Sequence, residues 1–252
     1  MSAIRQLGVI GDLHSEDIRL GRALEFLEHE GACDIICTGD IADGRGCVDT
    51  SIRLLRDHGV KTVRGNHDRW LLERKARHVP NAHHRETLSE QSIAFLESLP
   101  TQIQLNTMAG SVLLCHGVGD NDLRKVWPGT ERMPVERSHE LDKIIDEGEH
   151  RFLINGHVHF KTMIHFENLT LLNAGTIKGD MWPGFMLIDF ELRLIRAFTF
   201  GPDDSVISTK TTSLDPEANH QIWSNTQSFS GNWDPLLLFH RSEEIGRASC
   251  RE

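Results

Sequence analysis

Tyrosine is missing from all 252 residues, and aromatic side chains make up only 6% of the chain. The tyrosine gap has no physical explanation in the sequence and excludes nothing alone. Long apolar runs are also missing. None approaches the ~20 residues that a membrane-crossing helix needs, so a spanning segment is excluded. Cysteine is sparse. Cys33, Cys37, Cys47, Cys115 and Cys250 form no paired framework, which excludes a disulfide scaffold. The odd count, with no signal peptide, points to a reducing cytoplasm. Cys33 and Cys115 sit in or beside apolar runs and read as core thiols. Basic residues are outnumbered: 27 Lys and Arg face 37 Asp and Glu, a net charge of −10. That balance argues against a general nucleic-acid or anionic-membrane binder, which needs a basic face. It leaves an anionic substrate open, because a bound metal can override the local sign. With 38% hydrophobic and 25% charged residues, the chain is an ordinary soluble one, long enough for one large domain or two small ones.

Five short polar stretches each follow an apolar run. They are Gly11-Asp12-Leu13-His14, Gly39-Asp40-Ile41-Ala42-Asp43, Gly65-Asn66-His67-Asp68, Cys115-His116-Gly117 and Gly156-His157-Val158-His159. The runs before them, Leu7–Ile10, Asp34–Cys37, Lys61–Val63, Val112–Cys115 and Phe152–Asn155, are short and aliphatic. Such runs are expected for strands covered on both faces. Loops at the carboxyl ends of such strands are where open α/β sheets place their chemistry.

Helical spacing predicts helices at Asp17–Glu30, Val48–His58, Asp68–Arg77, Glu90–Leu99 and Val135–Glu149. The opening strand–helix alternation implies parallel strands. A hairpin around Ala109-Gly110 follows, then antiparallel strands at Thr162–Phe166, Thr170–Asn173, Gly184–Phe190 and Arg193–Phe200. The expectation is an α/β domain over residues 1–200 with two mixed β-sheets flanked by helices. Residues 201–252 are rich in Ser, Thr, Asn, Asp and Pro, with Trp223, Phe229 and Trp233 scattered and one apolar run, Leu236–Phe239. They read as an extension packing on the core, with residues 246–252 disordered or foreign to it.

The five stretches carry Asp, Asn and His, ligands suited to divalent first-row metals. Asp12 and His14 are two apart, as are His157 and His159. In extended backbone that spacing puts both side chains on one side. Asp40 is the natural bridging carboxylate, and Asn66 and His116 complete a set of seven. With Asp40 shared, each of two ions receives four protein ligands, leaving room for water or substrate. Two divalent cations against two carboxylates leave the site positive, which attracts phosphate to an acidic protein. Ions roughly 3.5–4 Å apart lower the pKa of bound water toward ~7, and the resulting hydroxide attacks phosphorus. His67 follows a ligand and reads as the group that protonates the leaving oxygen, with Asp43 holding and aiming it. Arg64 and Arg45 are candidate phosphate clamps. His58, His78, His83, His84, His150 and His165 read as non-ligands. Trp127 and Trp182 suit core packing at least as well as stacking on a nucleoside.

In this order, Asp-x-His, Gly-Asp-x-x-Asp, Gly-Asn-His-Asp, a lone His-Gly and Gly-His-x-His resemble the calcineurin-like metallophosphoesterases, over roughly residues 7–177. Leu172-Asn-Ala-Gly-Thr176 resembles a segment of the small bacterial phosphodiesterases of that superfamily. The resemblance implies an αββα sandwich and two divalent metal ions, manganese first, with iron, zinc, nickel or cobalt as alternatives. It implies hydrolysis of a phosphodiester or phosphomonoester, with a small molecule or nucleotide as substrate. Protein phosphatases and dinucleoside polyphosphate hydrolases have Asp-Arg-Gly after the second motif, where this chain has Asp43-Gly44-Arg45-Gly46. They stand as the second reading. A non-catalytic protein-binding scaffold on the same fold is the third. The sequence leaves the oligomeric state open.

Overall fold

The computed structural model describes residues 3–127, 136–179, 182–228 and 234–235. Two sheets stack face to face. The first has the order β11-β10-β9-β1-β2-β3, where β1 is Gln6–Ile10, β2 Asp34–Cys37, β3 Lys61–Thr62, β9 Gly184–Asp189, β10 Leu194–Phe200 and β11 Val206–Ser213. The second has the order β12-β7-β8-β6-β5-β4. Here β4 is Gln102–Thr107, β5 Gly110–Cys115, β6 Phe152–Asn155, β7 Lys161–His165, β8 Thr170–Ala174 and β12 Asp234–Pro235. In the first sheet the parallel strands β1-β2-β3 form one half and the antiparallel β9-β10-β11 the other. In the second, parallel β5-β6-β8 lie at the centre with antiparallel strands on both sides. Both sheets are therefore mixed, as the run of strands and helices implied.

Strand alternation explains the layers. Leu7 and Val9 of β1, Ile36 of β2, Val112 and Leu114 of β5, and Phe152 and Ile154 of β6 meet between the sheets. The alternate residues Ile10, Ile35 and Cys37 face outward, under α1 (Asp17–His29), α2 (Val48–Asp57) and α4 (Glu90–Ser98). Leu113, Cys115 and Leu153 face the other way, under α5 (His139–Glu147). The order is helices, sheet, sheet, helix. Because both faces of the central strands are covered, those strands read as continuous apolar runs rather than alternating ones.

Several boundaries differ from the sequence reading. α3 spans Asn66–Glu73 and ends at Arg74 in a left-handed conformation, φ 57°, so it stops short of Arg77. α5 starts at His139 because the Ser138 side chain accepts the Leu141 N–H at 3.2 Å and caps the helix there. Val135 lies outside the described residues, as do Pro128, Gly129 and Pro134 of the preceding loop. Cys33 is exposed, against the expectation of a core thiol. It sits before β2, where the chain is still turning; Cys37 and Cys115 are the buried ones. Residues 206–213 form a full strand on the edge of the first sheet. Its residues are polar and half-exposed, so no apolar period marked it. Trp223 is buried at the outer face of the second sheet, and Thr226 bonds Asp142 and Ser138. Phe229, Trp233, Leu236–Phe239 and residues 246–252 lie outside the described residues. No helix among the described residues is long and apolar enough to cross a membrane.

One buried cation ties the sheets together. Lys161 of β7 is 2% exposed. Its Nζ donates to the Phe198 carbonyl of β10 at 3.2 Å and to the Trp182 carbonyl at 3.3 Å. Burial pushes its pKa down from 10.5 to about 7. Between those values the unfolded chain binds the extra proton, so stability should rise with pH across that window. Lys161→Met should flatten that rise and forfeit the two carbonyl bonds, each worth about 0.5–1.5 kcal/mol. Denaturant titrations at several pH values check both effects.

Candidate metal centre

All five motif loops leave the same end of the stacked sheets. They are bolted together by backbone bonds: the His14 N–H donates to the Asp40 carbonyl at 2.7 Å and Ser15 N–H to that of Ile41 at 2.8 Å. Asp12 pairs with Thr176 in an isolated bridge. The ligand pairs do not converge by strand alternation, as their spacing suggested. His14, Asp40, Asp43, His157 and His159 all have left-handed backbones, φ 46–69°. Such residues reverse the chain locally, so convergence comes from loop turns rather than from extended backbone. Two glycines make the approach possible. A Cβ at Gly65 would collide with the Asp40 carboxylate, and one at Gly156 with that of Asp12.

Seven residues meet at the centre. One ligand atom each from Asp12, His14, Asp40 and His159 lie within 4.8 Å of one another. So do those from Asp40, His116 and His157, with Asp40 in both groups. Asn66 Oδ1 is 3.0 Å from His116 Nε2. The imidazoles are oriented from behind. His14 Nδ1 donates to the Asp43 carbonyl at 2.9 Å, and His116 Nδ1 to that of Thr38 at 2.7 Å. Their Nε2 atoms therefore face inward: His14 Nε2 is 3.2 Å from His159 Nε2, and His116 Nε2 is 3.4 Å from Asp40 Oδ2. The carboxylates are fixed too. Asp12 accepts from the Thr38 hydroxyl and the His157 N–H, and Asp40 from the His67 N–H at the start of α3.

This is a gathering of acceptors. Lone pairs and anionic oxygens crowd together in a buried place, which is unfavourable without positive charge among them. The donor set, four imidazoles, two carboxylates and one amide, fits divalent first-row metals. Without metal, protons fill the role poorly. Burial draws the His116 pKa down, but the Asp40 and Asp12 carboxylates outweigh it and raise it to about 10. Burial lowers His14 to about 3, and burial with the His116 charge lowers His157 to about 4. Burial pushes the carboxylates up, yet His116 beside them holds Asp12 below the ordinary range and Asp40 well below it.

His67 stands at the rim, its side chain 18% exposed. Its Nδ1 meets Asp43 Oδ2 at 2.7 Å, and its ring packs against Trp70 and His14. Burial lowers its pKa, but the Asp43 hydrogen bond and the Asp40 charge raise it further than burial lowers it. Asp43 is buried. Burial raises its pKa, and the bonds from His67, Arg77 and the His83 N–H more than reverse that. Arg45 is exposed and Arg64 half-buried, and neither guanidinium takes part in the hydrogen bonds around the centre.

Sequence reasoning missed several participants. Asp68 is fully buried. Its carboxylate accepts the N–H groups of Ile41, Ala42 and Gly65 at 2.8–3.0 Å, locking the Asp40 loop to α3. Burial and the nearby Asp40 charge raise its pKa to about 7. The signal was present: in Gly-Asn-His-Asp the Asp stands third in the helix, where it can reach back to the N-cap amide. Arg77 and His83 reach Asp43 from a loop with no motif. Lys178 and Lys125 lie near enough for their charges to depress His14 and His157.

Residues 6–191 match the calcineurin-like phosphoesterase superfamily domain. The chain is 27% identical over 181 residues to the uncharacterised protein MJ0912 of Methanocaldococcus jannaschii, covering 69% of this chain and 70% of that protein. It resembles the solved structure of the hypothetical protein PH1004 of Pyrococcus horikoshii, with TM-score 0.57 and 17% identity over 84% of this chain and 89% of that one. It also resembles a metallophosphoesterase of Sphaerobacter thermophilus, with TM-score 0.56 and 16% identity over 86% and 90%.

The Asp40 and Asp12 charges favour a proton on His116, and a cation bound by that ring would displace it. Metal uptake should therefore release protons. Calorimetric titration in two buffers of different ionisation heat measures the number, and uptake without release would contradict the geometry.

Proposed function

The chain belongs to the calcineurin-like phosphoesterase superfamily, and from that premise we propose that it is a hydrolase of phosphate esters working with two divalent metal ions. The observation that carries the reading is the sharing of Asp40 between two groups of converging ligand atoms. Asp12, His14, Asp40 and His159 would hold one ion, and Asp40, Asn66, His116 and His157 the other. Bound there, such ions supply Lewis acidity toward phosphoryl oxygens and lower the pKa of water toward ~7. Manganese is the preferred occupant, with iron, zinc, nickel or cobalt accepted by the same donors.

The chain's own residues do the rest. His67 holds a proton at the rim of the centre and gives it to the leaving oxygen. Its Nδ1 is committed to Asp43, which leaves Nε2 as the nitrogen free to act. Asp43 aims the ring and stabilises its charged form. Lys178 and Lys125 bring positive charge toward His14 and His157, although the whole chain is negative. Arg64 and Arg45 are proposed to close on phosphoryl oxygens. The substrate is a small molecule or nucleotide, a diester in preference to a monoester. Nucleic acids in general and membranes are not partners, given the acidic balance. The free state of Cys33, Cys37, Cys47 and Cys115 suits a reducing cytoplasm.

A non-catalytic scaffold on this fold would have no use for the His67–Asp43 pair, which lies beside the seven ligands but binds no part of them through its side chains. A panel of phosphate mono-, di- and polyesters, assayed with each metal, tests the proposal. Ester hydrolysis that depends on metal supports it, and its absence from every combination sinks it. In the same panel His67→Asn should keep its metal and lose on the order of 10²–10⁴ in rate. Because the His67 pKa is raised, wild-type activity should fall as pH climbs through it, and that alkaline limb should vanish in the variant.

A further inference from the structure

We propose that Arg77 is a positioning residue for the His67–Asp43 pair, holding the ring that would give a proton to the leaving oxygen. The inference rests on the phosphoesterase reading above and names the residue that prepares its proton donor. α3 ends early, and Arg74, Ala76 and Asn81 take left-handed conformations, φ 50–57°. These turns fold residues 75–84 back over the Asp43 loop. Arg77 is the centre of that strap. Its side chain is 13% exposed, and every nitrogen of its guanidinium donates. Nε bonds the Lys75 carbonyl at 2.7 Å. Nη1 bonds Asp43 Oδ1 at 2.8 Å and the His83 carbonyl at 2.6 Å, and Nη2 bonds Asp43 Oδ2 at 3.0 Å.

Asp43 Oδ1 also accepts the His83 N–H at 2.9 Å, and the Asp43 N–H donates back to His83 Nδ1 at 3.2 Å. An ionised carboxylate has about four lone-pair sites. Here two go to Arg77, one to His83 and one to His67. Asp43 is thus fixed in rotation by three bonds from the strap, and only one direction is left for His67 Nδ1. A carboxylate so saturated holds the ring in one orientation, with Nδ1 bound and Nε2 the nitrogen left to serve a leaving oxygen.

This bracing matters only where the leaving group needs a proton. An alkoxide leaves poorly unless it is protonated as the bond to phosphorus breaks. A phosphate leaving from an anhydride, or a nitrophenolate, departs as a stable anion. The worth of a rigidly aimed donor is therefore read on esters with poor leaving groups.

The test compares wild type, Arg77→Met, Arg77→Lys and His67→Asn, all metal-loaded, on methyl phosphodiesters whose second group is dinitrophenyl, nitrophenyl or unsubstituted phenyl. Arg77→Met should lose on the order of 10–10²-fold in kcat on the phenyl ester, part of the worth of the acid itself. On the dinitrophenyl ester it should stay within about threefold of wild type. His67→Asn should show the same slope more steeply. Lysine lacks the planar fork, so Arg77→Lys should not rescue; this variant keeps the charge and carries the test should the methionine variant misfold. Free guanidinium should restore phenyl-ester turnover to Arg77→Ala. An equal loss on all three esters, or a leaving-group slope in His67→Asn that is absent from the Arg77 variants, overturns the positioning role alone. No hydrolysis of any of the esters by wild type overturns the phosphoesterase reading and this inference together.

Discussion

Asp40 sits in a crowd of lone pairs and anionic oxygens that the His67 N–H and the His116 ring relieve in part. His14 Nε2, His116 Nε2 and the Asp12 carboxylate lie around it in a buried space, and their mutual repulsion has to be held down by the rest of the molecule. Asp68 secures the Asp40 loop from below, backbone carbonyls orient two imidazoles, and left-handed turns keep five residues in conformations that non-glycine residues seldom adopt. A structure that holds acceptors together in this way suits positive charge between them. The His116 proton offsets the repulsion only in part. Two cations sharing one carboxylate would offset it fully, and would leave the site attractive to phosphate.

The two-sheet stack is what makes the gathering possible. The parallel strands of both sheets deliver their loops to one end, so that β1, β2 and β3 from one sheet and β5 and β6 from the other supply all five motifs. The packed layer between them, from Leu7 to Phe152 and Ile188, fixes the distance between loops that are far apart in sequence. Burial of the centre follows from that packing, and it drives the lowered pKa values of His14 and His157. Toward the rim the rules change: His67 is partly exposed, and the Asp43 bond and the Asp40 charge raise its pKa.

Much of the fold, and which side chains come together at the strand ends, could be read from the residues. Short aliphatic runs ending in Gly, Asp, Asn or His marked the central strands, because strands covered on both sides need apolar residues throughout. Polar elements were harder. The edge strand Val206–Ser213 buries little, so no pattern announced it. Asp12-x-His14 and His157-x-His159 were read as strand geometry, when the loops in fact turn; spacing alone cannot distinguish the two, since both bring alternate residues together. Arg77 and His83 were hidden for a different reason. They act across 34 to 40 positions of chain on Asp43, from a loop whose composition says nothing about its destination. Arg45 and Arg64 attracted attention by sitting next to motifs, while the cations that bear on the ligands, Lys178 and Lys125, stand outside them.

Elemental analysis of the reconstituted chain tests the shared-carboxylate centre most directly. Wild type, loaded with manganese and freed of excess metal, should retain two ions per chain. Asp40→Asn should lose both, or hold one weakly, with phosphoesterase activity falling in step. A single tightly held ion in wild type, or two ions retained by a fully active Asp40→Asn, would contradict the account.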